Sequence, residues 1–301
     1  MNKQSDHSDP LSRIEAIAFE GGGIRGLAYG RALRLLAPHL PDGLPSLRVL
    51  VGTSAGAITA MLVALGATAE QLERIVGSTP WAEFRDGDWG LIRDGWRLFR
   101  RLGYYRLDYP RRWLADRIAE LGWSPELTFR EHFNRTGRQL HVIATNESTR
   151  SLTVFDHMRH PRIPVLDATL SSMAVPFFFP LVEIAGDLYS DGGLLANQAM
   201  TLLDDLALDR TLGMRVDSDA ELAERWPRPR TVLHRAWGLF EALIRHANGG
   251  HVPERYQSRI LCIRVGNLPA LRFKLSLDER RFLISRSEEA FRAFAASPTE
   301  V

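Results

Sequence analysis

Two short apolar runs near the amino terminus each end in a glycine-rich turn and lead into a helix-like stretch. The first run, 14–19 (IEAIAF), precedes Glu20 and three glycines, and residues 25–39 then show helical periodicity. The second run, 47–51 (LRVLV), precedes another glycine turn and an apolar helix over 54–65. Continuous apolar strands that alternate with helices are typical of a parallel sheet buried on both faces. The pattern therefore predicts an α/β fold.

The alternation returns after a segment of different composition. Residues 81–134 hold five of the seven tryptophans and many arginines, which indicates a cap of short amphipathic helices. The later predicted elements are strands 139–146 and 151–155, helix 165–174, a strand pair around Ala185-Gly186, a polar and mobile loop over 217–230, helix 231–247, strand 258–265 and helix 277–295. We predict one domain, 1–301, built as a three-layer α/β/α sandwich with a mainly parallel sheet.

Composition places the chain among ordinary globular proteins. Of its 301 residues, 45% are hydrophobic and 25% charged, which excludes the disordered and fibrous classes. The 38 basic and 36 acidic residues give a net charge of +2, so we expect no nucleic-acid partner. The single cysteine, Cys262, excludes an internal disulfide framework and a cysteine-based zinc site. Its alternating apolar neighbours predict a buried strand residue.

Neither a signal peptide nor a membrane span is expected. Residues 1–9 are polar, where a signal peptide carries an apolar core. The longest mostly apolar stretch, 55–67, has 13 residues and is too short to cross a bilayer. We predict a soluble, cytoplasmic protein that can lie at a membrane surface, with export as an effector left open.

The first glycine-rich turn, Gly21 to Gly26 (GGGIRG), matches the G-x-G-x-x-G pattern of dinucleotide-binding proteins. That fold needs an acidic residue at the end of the second strand to hold the ribose. Here Val51 is followed by Gly52, Thr53 and Ser54 instead. What the turn still supplies is a row of backbone N–H groups at a helix N-terminus, which suits an oxyanion.

Two further glycine sites carry candidate chemistry. Residues 52–56 (GTSAG) form a G-x-S-x-G pattern, which in hydrolases places a nucleophilic serine on a strained strand-to-helix turn. The structural alternative is that Ser54 caps a buried helix. Asp191-Gly192-Gly193 follows a short strand; such a tripeptide is often a surface turn, but its carboxylate is also a base that a serine nucleophile needs.

These three sites, in this order, resemble the patatin-like phospholipase family, lipid acyl hydrolases that use a Ser–Asp dyad. Residues 171–180 (SSMAVPFFFP) resemble the family segment upstream of the aspartate, and 273–291 resembles its C-terminal helix. The resemblance implies that Ser54 is the nucleophile and Asp191 the base of a phospholipase A or lysophospholipase type of enzyme. It also implies an oxyanion hole formed by the N–H groups of Gly21, Gly22, Gly23 and Ile24. The residues implied to support this site are Arg25, Gly26, Gly52, Gly56, Gly192, Gly193 and Asn197.

Two alternatives stay open on sequence grounds. His234, His246 and His251 follow Asp191, so a Ser–Asp–His triad is formally available. A catalytically silent lipid-binding or scaffolding protein on the same fold is the alternative function, against which the intact Ser54 and Asp191 argue. His157 and His160 lack further ligand-type neighbours at metal spacing, so no metal and no cofactor are predicted.

One stretch of the predicted cap combines positive charge with aromatic residues. It contains Arg93, Arg97, Arg100, Arg101, Arg106, Arg111 and Arg112, interleaved with Trp96, Phe99, Tyr104, Tyr105 and Tyr109. Such a mixture suits an anionic lipid interface, so we predict transient contact with a membrane here. The alternative is an ordinary cap whose aromatic rings pack inward. The expected substrate is a phospholipid or another fatty acyl ester; the sequence identifies no protein activator.

Overall fold

A mixed sheet forms the centre of the chain. The computed structural model describes residues 9–84, 103–217, 253–270 and 274–297, and positions 228, 235, 238, 239 and 242. The eight strands of the described residues are β1 (Ala16–Phe19), β2 (Val49–Thr53), β3 (Gln139–Asn146), β4 (Ser151–Phe155), β5 (Val182–Ile184), β6 (Asp187–Asp191), β7 (Thr211–Asp217) and β8 (Ile260–Arg264).

The centre of the sheet is parallel, as predicted. The strand order is β5-β6-β3-β2-β1-β7-β8, with β4 paired to β3. The pairs β3–β2, β2–β1, β1–β7 and β7–β8 are parallel, whereas β4, β5 and β6 join the sheet through antiparallel pairs. The register sets Phe19 opposite Gly52 and Asp191 opposite Ala144. The turns that follow β1, β2 and β6 therefore lie close together at one end of the strands.

Helices flank the sheet unequally. They are α1 (Ala28–Leu36), α2 (Ala55–Ala64), α3 (Ala69–Ser78), α4 (Asp108–Glu120), α5 (Phe129–Thr136), α6 (Val165–Ser172) and α7 (Leu277–Ala296). Ile17 and Phe19 of β1 point into the large core on one face, and Ala16 and Ala18 point into a smaller cluster on the other. In the described chain, short 3-10 helices at 200–203 and 254–259 contribute to that second layer, which the small alanines suit.

Two elements, β7 and α3, are not among those that the sequence pattern predicts. β7 lies in the sheet between β1 and β8, yet its sequence TLGMRVD includes a glycine and an arginine and is no continuous apolar run. Helix α3 begins at a capping box in which Thr68 and Gln71 bond each other's backbone, a signature that hydrophobic periodicity does not detect. Apart from single positions, the loop predicted over 217–230 and the helix over 231–247 lie outside the described residues.

The prediction that Cys262 is buried is wrong. Along the edge strand β8, Leu261 and Ile263 face the core, whereas Cys262 and Arg264 are exposed on the other face. Successive residues of a strand point to opposite faces of the sheet, and of the two faces of β8 only that of Leu261 and Ile263 is buried in the described structure. The apolar alternation therefore identified the strand correctly and placed the cysteine on the wrong face of it.

The described part of the predicted cap packs into the main core. Trp81, Phe84 and Trp113 contact one another at ring-centroid distances of 5.1–5.5 Å. Residues 85–102 lie outside the described part, and a cap or lid role for the segment stays a prediction. Among the described helices, none has the length and apolar content that spanning a bilayer would require.

The approach of α2 to the sheet predicts a sharp contrast between two glycines. A Cβ on Gly56 would lie 2.4 Å from the Phe19 carbonyl oxygen, whereas a Cβ on Gly77 would meet nothing within 4 Å. We expect Gly56→Ala to lower the free energy of unfolding by about 1–3 kcal/mol through overpacking. Gly77→Ala, the matched control in α3, should be neutral or stabilising by up to about 1 kcal/mol. Urea unfolding checks both; equal effects would contradict the tight approach at Gly56.

Candidate active site

Ser54 occupies the strained turn between β2 and α2. Its backbone has φ 52° and ψ −123°, a conformation that is costly for any residue with a Cβ. Its side chain forms no helix-capping hydrogen bond, so the capping interpretation is wrong. The turn can close because residue 52 is glycine. A Cβ at this position would lie 2.4 Å from the Gly56 carbonyl oxygen, which is too close for any other residue. The Ser54 hydroxyl is thereby left available for another partner.

Ser172, at the end of α6, holds this turn from the other side. Its hydroxyl accepts a hydrogen bond from the Ser54 backbone N–H at 2.9 Å and donates one to the Ile143 carbonyl at 2.5 Å. The bridge fixes the turn of Ser54 against β3. Ser172 belongs to the segment that resembles the family, but nothing in its spacing indicated this contact.

Asp191 ends β6 and lies buried beside Ser54. Burial raises the pKa of its carboxyl from 3.8 to about 6, while the side-chain hydrogen bond with Ser54 and the Gly193 amide lower it in part. The Gly193 N–H donates to Oδ1 at 2.7 Å, and the Thr145 hydroxyl donates to the Asp191 carbonyl at 2.9 Å. Since a Cβ on Gly192 would lie 2.3 Å from the Ile143 carbonyl oxygen, the glycine lets this turn approach β3 closely.

The glycine loop, Gly21–Gly26, lies directly beside Ser54. Gly23 has φ 55°, and a Cβ on it would lie 2.3 Å from the Ala270 carbonyl oxygen. That oxygen accepts the Ile24 N–H at 2.8 Å, and the Asn197 carbonyl accepts the Gly21 N–H at 3.3 Å. Two of the four implied oxyanion donors are therefore engaged inside the protein. The Gly22 and Gly23 amides make no hydrogen bond with the other described residues.

Arg25 ties the glycine loop to the segment after β8. Its Nε donates to the Leu268 carbonyl at 2.6 Å. This carbonyl comes from a part of the chain that is distant in sequence. On the opposite side of the loop, a Cβ on Gly26 would lie 2.9 Å from that of Ala55, so the loop also rests on α2.

Asn197 links the glycine loop to the loop that carries Asp191. Its Nδ2 donates to Glu20 Oε1 at 3.0 Å and to the Gly21 carbonyl at 3.2 Å. Glu20 is buried, and burial raises its pKa to about 7, partly offset by the positive charge of Arg215. Glu20 was not among the residues expected to support the site. The available signal was an acidic residue directly after an apolar strand.

An apolar cavity of about 80 Å³ reaches Ser54. Ile58 and Leu62 of α2 line it, together with the aromatic residues Trp81, Phe84 and Trp113. Val175 and Phe179 from the segment before β5 complete this wall, and Gly23 and Ile24 lie at the glycine loop. The serine hydroxyl therefore faces an environment suited to a hydrocarbon chain.

The described histidines have structural contacts. His157 stacks on Phe133 with ring centroids 3.8 Å apart, and His160 Nδ1 lies 3.0 Å from the Val154 carbonyl oxygen. No cluster of three or more His, Cys, Asp or Glu side chains suited to a metal occurs among the described residues. His234, His246 and His251 lie outside them, so the triad alternative is untested.

Half of the arginine–aromatic stretch lies outside the described residues, namely Arg93, Trp96, Arg97, Phe99, Arg100 and Arg101. In the described half, Tyr105 and Tyr109 pack against the core. Arg111 pairs with Asp167 at 2.6 Å. These two tyrosines follow the inward-packing alternative, and contact of this stretch with a membrane stays a prediction.

The sheet and site define an α/β protein that holds a serine on a sharp strand-to-helix turn, with a buried carboxylate beside it. The family model of the patatin-like phospholipases matches residues 17–204, which include both glycine turns and Asp191. The chain therefore belongs to the patatin-like phospholipase family.

The chain is similar to several known proteins. Protein R571 of Acanthamoeba polyphaga mimivirus is 24% identical over 281 residues, which cover 90% of each chain. A cGAMP-activated phospholipase of Pseudomonas aeruginosa is 30% identical over 199 residues, 62% of this chain and 54% of that protein. The structure of VipD from Legionella pneumophila shares the fold, with a TM-score of 0.63 at 14% identity, covering 94% of this chain and 67% of that one.

The raised pKa of Asp191 predicts that removing its charge stabilises the protein. Well below pH 3.8 the carboxyl is protonated in both the folded and unfolded states. Well above pH 6 it is ionised in both, and the folded state alone carries the desolvation cost. We expect Asp191→Asn to unfold with a free energy about 2–3 kcal/mol higher than the native protein at pH 8.

This gain should shrink as the pH falls from 6 towards 4, as urea unfolding at several pH values would show. The nearly isosteric amide keeps an oxygen acceptor for Gly193 but offers an NH2 group in place of the other carboxyl oxygen, so it is the pH dependence of the difference that reports the charge. A stability difference independent of pH would contradict the raised pKa.

Proposed function

We propose that this protein is a lipid acyl hydrolase of the phospholipase A or lysophospholipase type, which cleaves fatty acyl esters through Ser54 and Asp191. The observation that carries the proposal is the Ser54 hydroxyl, which lies on a strained turn between the buried Asp191 carboxyl and an apolar cavity. A serine needs an adjacent base to act as a nucleophile, and a carboxyl with a pKa near 6 is a stronger base than an ordinary aspartate.

In acylation, Ser54 Oγ attacks the carbonyl carbon of the ester while its proton moves to Asp191. The carbonyl oxygen becomes an oxyanion, which the Gly22 and Gly23 amides stabilise by hydrogen bonds. The tetrahedral intermediate then collapses. The bond to the alcohol oxygen breaks, and the alcohol leaves with the proton from Asp191. Water attacks the acyl-serine in the same way, releasing the fatty acid and restoring Ser54.

The choice of a fatty acyl ester rests on the lining of the cavity and on the family. Alkyl and aromatic side chains from α2, Trp81, Phe84 and Trp113 surround the space next to the nucleophile. Burial of methylene groups there would favour a hydrocarbon chain by about 0.8 kcal/mol for each group. The Asn197 bridge supports the reaction by holding the glycine loop in register with the loop of the base.

A serine-directed fluorophosphonate probe separates this enzyme from a catalytically silent lipid-binding or scaffolding protein. The native protein should be labelled and Ser54→Ala should not. Absence of labelling in the native protein, or equal labelling of Ser54→Ala, would support the silent alternative.

Activity should depend on both members of the dyad and on the ionised base. We expect Ser54→Ala and Asp191→Asn each to lower kcat/KM for a short soluble ester by about a thousandfold or more. In the native enzyme, kcat/KM should rise with pH through about 6, because Asp191 accepts the proton only when it is ionised.

Alanine substitutions of His234, His246 and His251 serve as controls and should retain activity, as should treatment with EDTA. A histidine variant that remains folded but loses as much activity as Asp191→Asn would establish the triad instead.

Arg25 should affect the rate through the glycine loop. The substitution Arg25→Lys keeps the positive charge but removes the planar guanidinium, whose Nε donates to the Leu268 carbonyl. We expect the fluorophosphonate to label this variant about tenfold more slowly than the native protein, because labelling uses the same serine and glycine loop as acylation. Arg292→Lys, on the exposed face of α7, is the matched control and should label at the native rate. An unchanged rate for Arg25→Lys would remove Arg25 from the supporting set.

A further inference from the structure

The turn before β5 places an aromatic residue where the backbone favours glycine. The Phe178 N–H donates to the Val175 carbonyl at 3.1 Å, and Pro176 occupies the second position of the turn. Phe177, at the third position, has φ 68°. This is the arrangement of a type II turn, whose third position takes glycine or asparagine because a larger residue is strained there.

The fold itself gives little in return for this strain. Phe177 is 55% exposed, whereas the next two residues, Phe178 and Phe179, are buried. A local conflict of this kind, without a compensating side-chain contact among the described residues, is typical of functional positions. The exposed ring therefore needs an explanation outside the packing of the core.

The location of the turn suggests that explanation. Val175 and Phe179, two residues before and after Phe177, line the apolar cavity that reaches Ser54, and Phe177 does not. The same short segment thus forms the wall of the cavity with some side chains and presents Phe177 to the outside.

The turn is held rigidly rather than on a loose loop. The Tyr104 N–H donates to the Phe177 carbonyl at 3.0 Å, and the Tyr105 N–H donates to the Phe178 carbonyl at 2.7 Å. A Cβ on Gly103 would lie 2.2 Å from the Pro180 backbone nitrogen, so the two segments are in close contact. A side chain on such a frame keeps its orientation when it meets a partner.

We propose that Phe177 inserts into the interface of a phospholipid bilayer and brings the adjacent cavity wall to the membrane. The proposal rests on the proposed function, since an enzyme that cleaves phospholipids must take its substrate from a bilayer. One exposed ring is far less than the 20–30 residues on each side of a stable protein interface. It is sufficient, however, to gain free energy by entering the headgroup and acyl boundary, where aromatic residues partition favourably.

The test separates membrane binding from catalysis. Phe177→Asn removes the ring and places a residue that tolerates the positive φ, and Phe177→Gly does the same without a side chain. Each variant is made in the Ser54→Ala background for co-sedimentation with vesicles of phosphatidylcholine and phosphatidylglycerol, and with intact Ser54 for hydrolysis of a short soluble ester.

The matched control is Met158→Asn. Met158 is 76% exposed, in the turn after β4. Because β4 runs antiparallel to β3, this turn lies towards the opposite end of the sheet from Ser54. Met158→Asn should leave vesicle binding unchanged.

We expect Phe177→Asn and Phe177→Gly to weaken vesicle binding about tenfold, while soluble-ester hydrolysis stays within about twofold of the native rate. Phe177→Trp, which keeps an aromatic ring, should bind vesicles as the native residue does. Phe177→Gly should raise the temperature midpoint of unfolding because glycine relieves the backbone strain.

Three results would overturn the proposal. These are undiminished vesicle binding by both ring-less variants, no vesicle binding by the Ser54→Ala protein itself, or equal losses on vesicles and on the soluble ester. The last result would mean that Phe177 shapes the site. Failure of the proposed function has a different signature: vesicle binding that depends on Phe177 in a protein that neither hydrolyses esters nor reacts with a fluorophosphonate.

Discussion

The close approach of α2 to the ends of β1 and β2 is the constraint on which the site depends. It requires glycine at 52 and 56, since a Cβ at either position would lie 2.4 Å from a backbone oxygen. The short connection forces Ser54 into a positive φ and keeps its side chain from capping the helix. The same approach brings Ala55 against Gly26, so the glycine loop, the turn of Ser54 and the first turn of α2 form one packed unit.

Burial of two carboxyls beside this unit raises their pKa values at a cost in stability. The carboxyls of Asp191 and Glu20 are taken out of water, and their pKa values rise to about 6 and about 7. Hydrogen bonds from Gly193 and Asn197 recover part of the desolvation penalty. The large apolar core on the α2 face supplies the stability that lets a strained turn and two buried carboxyls persist.

Aromatic residues divide between support and exposure around the cavity. Tyr105 packs near Phe178 and Phe179 and so braces the segment that forms the cavity wall. Phe177, between the wall residues, is turned outward by the positive φ of its backbone. The segment from Val175 to Phe179 thus lines the apolar cavity beside Ser54 with its buried side chains and carries one exposed ring at the surface.

The sequence by itself determined the alternating strands and helices, the family and the two residues proposed for catalysis, because apolar period and glycine spacing are local properties of the chain. Tertiary structure decided what depends on contacts between distant segments. It placed β7 between β1 and β8 although TLGMRVD is not a continuous apolar run, and it decided that Leu261 and Ile263, rather than Cys262, face the core. It engaged the Ile24 amide with the Ala270 carbonyl and bridged Glu20 to Asn197. Such partners lie far apart along the chain, and only the folding of the whole sheet brings them within hydrogen-bond distance.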